Sequence, residues 1–214
     1  MITGINSLQT HHLPSTMSRT QIQSTPAVTI PVRAVGPQAC YPTHVLALSA
    51  PKSAGDATLL LTHALVLAAN CSGLPRLPAT APATPQGTSV TLPVLPLTVP
   101  SPAAFAPLHS FLYTHSTRSL LAALLPSVPS AFVSTLSTPG AIRGTLASGP
   151  ALHTLSDHLV RHVRPAQLPA VAQGIAAVWR NAVALGVHDP EFWDTLDLSW
   201  EVVLGALNLA AGAQ

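Results

Sequence analysis

Residues 92–126 read LPVLPLTVPSPAAFAPLHSFLYTHSTRSLLAALLP, a proline-punctuated lead followed by two leucine-rich segments. Proline removes a backbone donor and biases its predecessor away from the α region, so Pro93, Pro96 and Pro100 predict extended chain. Ser101 then offers an N-cap hydroxyl, and Pro102 suits the first helical position, where its missing N–H costs nothing. Phe105, Leu108, Phe111 and Leu112 fall three and four apart and form one apolar stripe. After a polar turn at Thr114 to Thr117, Leu120, Leu121, Leu124 and Leu125 repeat the pattern, and Pro126 and Pro129 stop it. The stretch predicts a helical hairpin with a buried seam. It holds no nucleophile–base pair, no glycine-rich phosphate loop and no spacing suited to a metal.

Working outward, Asp56 is expected to cap a helix running to about Asn70, with Leu59, Leu60, Leu61, Leu65, Val66 and Leu67 around most of its circumference. Asn70, Ser72 and Gly73 would end it, Gly73 in the left-handed position. His63 on this helix reads as a core histidine satisfied by a backbone carbonyl. Ahead of it, Tyr41 to Ala50 is a short buried strand or a turn of helix, which periodicity alone does not decide. Residues 1–38 are rich in Thr, Ser, Gln, His and Pro and lack a sustained period, so they are read as a disordered tail with a short strand at Ala27 to Val32. Residues 74–91 read as a Pro-rich loop. Pro75, Arg76 and Pro78 only partly satisfy a proline-ligand motif.

On the other side of the hairpin, Pro126 to Pro150 is punctuated by Pro, Gly and Ser, with a helical turn at Ala131 to Leu136. Leu152, Leu155, Leu159 and Val163 then form a helix face bordered by His153, Asp157, His158 and His162. His158 and His162 have the i, i+4 spacing of two imidazoles sharing a metal. Leu159, however, stands where a zinc enzyme would place its glutamate, and a solvated face near a helix C-terminus explains the same residues. The stripe Leu168, Val171, Ile175, Val178, Ala182 and Leu185 predicts a long helix ended by Gly186. Asp189 and Pro190 start the next, with Phe192, Trp193 and Leu196 inward, and Ser199 starts a last one burying Trp200, Val203, Leu204 and Leu207. Trp179, Trp193 and Trp200 are expected to fill the junction of these helices, or alternatively to anchor a partner.

The 214 residues are 48% hydrophobic but only 7% charged, with 22 prolines and 4% aromatics. So little charge leaves a surface of Ser, Thr, Pro and small apolar groups that tends to adhere to partners. Nine Lys and Arg, dispersed along the chain and giving a formal charge of +2, make no row that would neutralise phosphates, so direct nucleic-acid binding is not expected. Two cysteines, Cys40 and Cys71, make no disulfide scaffold, and with no secretory signal ahead of them the expectation is a reducing, intracellular compartment. No apolar run reaches the length of a membrane span. There is no Gly-x-Ser-x-Gly, no dinucleotide turn and no paired carboxylates, so neither catalysis nor a cofactor is expected.

The expected fold is therefore mainly α: helical hairpins and a C-terminal helical subdomain, with a minor extended segment and Pro-rich loops. A single domain over residues 39–214 follows the tail. LPRLP at 74–78, the stretch from Leu92 with LLAALLP, VWRNAVALGV at 178–187 and EFWDTLDLSWEVVLGALNLAA at 191–211 together resemble the clampless family of basidiomycete fungi, small regulators of clamp-cell formation. The resemblance covers roughly Tyr41 to the C-terminus. It implies a nuclear developmental regulator that works with the mating-type homeodomain pathway through protein partners, without catalysis or cofactor. A second likeness, at Thr43 to Ala50 and Phe105 to Thr114, is to BTB/POZ interaction domains, which implies an α+β fold and an adaptor function. The enzymatic alternative is a hydrolase using His153, Asp157, His158 and His162. For a partner surface, the residues singled out are Tyr113 and Trp193, aromatics whose polar atoms let them stay partly wet.

Overall fold

The computed structural model describes residues 7–33, 40–51, 55–75, 77, 88–125 and 128–212. The fold is α+β, which corrects the mainly α expectation: a mixed five-stranded sheet, curled into a half-barrel, accompanies the helices. Its strands are β1 (Thr16–Met17), β2 (Ala27–Pro31), β3 (His44–Ser49), β4 (Ala57–Thr62) and β5 (Ser89–Thr98), in spatial order β1-β4-β3-β5-β2. β3 and β5 run parallel and the other pairs antiparallel.

The Leu59–Thr62 run lies in β4 and not in a helix capped by Asp56; only Ala64–Asn70 is helical. Leu59, Leu60 and Leu61 stand opposite Ala47, Leu46 and Val45 of β3. Every residue from His44 to Leu48 is buried, so β3 is covered on both faces and cannot show the alternation that marks a half-buried strand. Its burial on both faces is why the sequence pattern left it undecided.

β5 carries Pro93 and Pro96, residues normally excluded from a central strand. The register shows how they are accommodated. Residues 89–93 pair with β2 and residues 94–98 pair with β3, so each half of the strand uses one edge for its ladder.

Residues of the expected tail belong to this sheet. Leu8, Met17, Ile30 and Val32 are buried with Val45, Leu59, Leu61, Val90 and Leu92 in one apolar cluster. The Gln9 N–H donates to the Pro31 carbonyl at 2.9 Å and the Arg33 N–H to that of Ser7 at 2.8 Å, while Leu59 N–H donates to Ser15 at 3.0 Å. The segment from Ser7 to Met17 thus bonds to both the β2 side and the β4 side of the sheet. The strand expected at Ala27 to Val32 is β2. The remainder of the expected tail, residues 1–6 and 34–38, lies outside the described residues, as do 76 and 78–87 of the Pro-rich loop, including Arg76 and Pro78 of the proline-ligand reading.

The helices are α1 (Arg19–Ser24), α2 (Ala64–Asn70), α3 (Phe105–Thr114), α4 (Thr117–Leu124), α5 (Ser130–Thr135), α6 (Pro139–Leu146), α7 (Gly149–His162), α8 (Leu168–Leu185) and α9 (Pro190–Gly212). The α3–α4 hairpin is present, turned by His115 in the left-handed region at φ 48° and started again by Ser116, whose hydroxyl accepts from the Ser119 N–H. Phe105, Leu108, Phe111 and Leu112 are buried as their spacing predicts. The last two expected helices are one: α9 runs unbroken through Ser199, whose hydroxyl donates to the Thr195 carbonyl at 2.8 Å inside it.

The chain divides into two compact units: Met1–Ala103 with Ala184–Val187, and Ala104–Val183 with His188–Gln214. The first contains the sheet. In the second, α9 packs against α7, α6 and α4. At the α7 contact Gly205 faces Ser156, whose hydroxyl donates to the Val202 carbonyl at 3.1 Å. A side chain at Gly205 would collide with that serine.

A candidate protein-contact cleft

One surface feature that sequence periodicity does not account for lies between α8 and α9. On α8, Leu168, Ile175, Val178, Ala182 and Leu185 are buried as the stripe requires. Trp179 follows Val178 and so is turned roughly 100° away from the stripe. It is 47% exposed, and Val183, one turn on, is 50% exposed. On α9, Asp189 caps the helix by accepting from the Glu191 and Phe192 N–H groups at 2.8 and 3.1 Å, which fixes the rotation of the helix. Phe192, Leu196, Ser199 and Val203 then point inward, and Trp200 stands at the margin, 36% exposed.

Trp179 and Trp200 line a cleft of about 480 Å³ together with Ile175, Ala176 and Leu196. Gln173, Arg180 and Asp197 supply its polar groups. The Arg180 Nε donates to the Ala176 carbonyl at 3.2 Å, and among the described residues no ion pair joins Arg180 to Asp197. The Asp197 carboxyl is pushed above its ordinary range, by burial first and by the charge of Asp194 second. An apolar, aromatic-walled groove with a few polar groups is built to bury a partner's apolar surface, and Trp is among the residues that dominate such contacts.

Tyr113 and Trp193 are both half-buried. Tyr113 packs on His109 with ring centroids 4.9 Å apart, and Trp193 meets Phe192 edge-on at 5.5 Å. Neither lines the cleft. The aromatics that do, Trp179 and Trp200, were expected first in the core and alternatively as partner anchors; the available signal was the position of Trp179 beside the apolar stripe.

His153 is exposed, Asp157 pairs with Arg161 at 2.7 Å, and the His162 Nδ1 is bonded to the His158 carbonyl at 2.8 Å. The rings of His158 and His162 stack with centroids 4.1 Å apart. Among the described residues no group of three or more His, Cys, Asp or Glu is placed to hold a metal ion, and no helix is long and apolar enough to cross a membrane. His63 donates from Nε2 to the Cys40 carbonyl at 3.0 Å, the backbone partner expected for it.

Residues 1–100 match the family model described as the Clampless protein 1 N-terminal domain, and residues 118–214 match that of the Clampless protein 1 C-terminal domain. Neither a curated protein nor a solved structure matches the chain. The break between the two family matches falls next to the division between the sheet-containing and helical units. With nearly the whole chain matched, the protein belongs to the clampless family, whose domains mark a regulator of clamp formation.

Proposed function

We propose that this regulator is non-catalytic and acts through protein–protein contacts in the nucleus, together with the homeodomain transcription factors of the mating-type pathway. The observation that carries the reading is the α8–α9 cleft, with Trp179 and Trp200 exposed at its walls on a chain that is only 7% charged. An exposed tryptophan pair has a hydration cost that a protein partner removes. Of the His153, Asp157, His158 and His162 group, Asp157 is paired with Arg161 and His158 and His162 are stacked on each other, while His153 is exposed, an arrangement that supports the same reading.

The test is affinity purification of the tagged full chain from its own cells, before and after mating, beside the variant Trp179→Ala/Trp200→Ala. The expected result is recovery of homeodomain factors with the parent chain after mating, reduced by the double substitution, with fewer clamps formed by cells carrying it. Nuclear fractions from which no transcription factor is recovered would count against the reading, as would a variant that forms clamps normally.

A further inference from the structure

We infer that the α8–α9 cleft is a self-complementary surface, and that its occupant is the same cleft of a second copy of this chain. The inference rests on reading the cleft as a protein contact and adds the partner's identity. Its walls carry one cation, Arg180 from α8, and one anion, Asp197 from α9, beside Trp179 and Trp200. No ion pair joins the two charges within the chain. A two-fold axis through the cleft would set Arg180 of each copy against Asp197 of the other, since an isologous interface makes every contact twice with the roles exchanged.

Three observations favour a second copy over an unrelated partner. The surface contains both members of its own charge pair, so it complements itself without a further protein. The Asp197 carboxyl is held above its ordinary range by burial and by Asp194, and a partner's guanidinium beside it would lower it again. The formal charge of +2 spread over 214 residues opposes the approach of two copies only weakly. The exposed apolar groups Trp179 and Val183, one turn apart on α8, give the contact its dry centre.

The experiment is sedimentation velocity of the purified full chain over a concentration series, comparing the parent with Arg180→Asp, Asp197→Arg, the double swap, and Trp200→Ala, each checked by thermal melting. The expected result is a concentration-dependent dimer. Either single reversal should weaken it about a hundredfold, because like charges then face each other twice. The double swap should restore it, and Trp200→Ala should weaken it at a temperature where thermal melting shows the variant still folded. A parent chain that stays monomeric at the highest concentration overturns the inference, as does a dimer indifferent to both reversals or not rescued by the swap. A monomeric parent whose capture of homeodomain factors still depends on Trp179 and Trp200 would overturn the self-association alone and leave the proposed function standing. A dimer rescued by the swap, with no factor recovered from cells, would do the reverse.

Discussion

At the scale of single residues, burial sets the chemistry of the histidines and cysteines in the sheet unit. His44 is 1% exposed and His63 2% exposed, and burial holds both below the ordinary histidine value of 6.5. The unfolded chain therefore binds protons in a window where the folded chain does not, so stability rises with pH there. That contribution is complete above the unfolded value and is lost as pH falls through it toward the lower folded values. Melting temperature should accordingly drop between about pH 7 and about pH 5, and His44→Gln/His63→Gln should flatten the slope; an unchanged slope would remove these two side chains as its cause. The Cys71 thiol is pushed up to about 11 by burial, whereas Cys40 is exposed. A thiolate-specific reagent should label Cys40 in the native protein and reach Cys71 only after denaturation. Equal rates at both sites would show that the first unit opens readily.

Among the elements, the close approach of Gly186 to the turn after α2 is the one most exposed to a single change. Gly186 has φ +63°, and a Cβ there would press on the Ser72 hydroxyl and come within 2.8 Å of the Gly73 nitrogen. Gly73 in turn donates to the Leu185 carbonyl at 2.8 Å, so it cannot easily retreat. Gly186→Ala should cost about 1–3 kcal/mol in chemical denaturation. In the helical unit, Phe111 is 1% exposed and meets Phe192 edge-on at 5.3 Å, so Phe111→Ala should cost about 3–5 kcal/mol. The helices around these residues were legible because each carries a 3.6-residue stripe and its own punctuation: Ser116 before α4, Gly186 after α8, Asp189 and Pro190 at the start of α9. The strands were not. β3 loses its alternation by being buried on both faces, β4 reads as a leucine helix until β3 is placed beside it, and the prolines of β5 are tolerated only because its two halves pair with different neighbours. The cleft was half legible. Trp179 lies off its stripe in the sequence, but the exposure of Trp200 depends on how α8 and α9 stand to each other.

For the molecule as a whole, one family match spans residues 1–100 and the sheet-containing unit covers the same part of the chain, whose described residues are a folded part of the protein. Low-complexity composition in residues 1–38 predicted a tail because Thr, Ser and Gln dilute the apolar positions, yet Leu8, Met17, Ile30 and Val32 are each at most 9% exposed. Burying an aliphatic side chain contributes about 1.5–3 kcal/mol, so four of them are worth about 6–12 kcal/mol, comparable with the entire stability of an ordinary domain. Deleting residues 1–33 would also remove the bonds to Leu59 and Val94 made by Ser15 and Pro26, and the β2 ladder on β5. The truncated chain should lose protection from hydrogen exchange at the amides of β3, β4 and β5, while α7 and α9, which pack on each other in the second unit, keep theirs. A disposable tail makes the opposite forecast: unchanged exchange and an unchanged melt. Exchange followed peptide by peptide separates the two, because a sheet that no longer closes over its apolar cluster cannot keep its central amides protected.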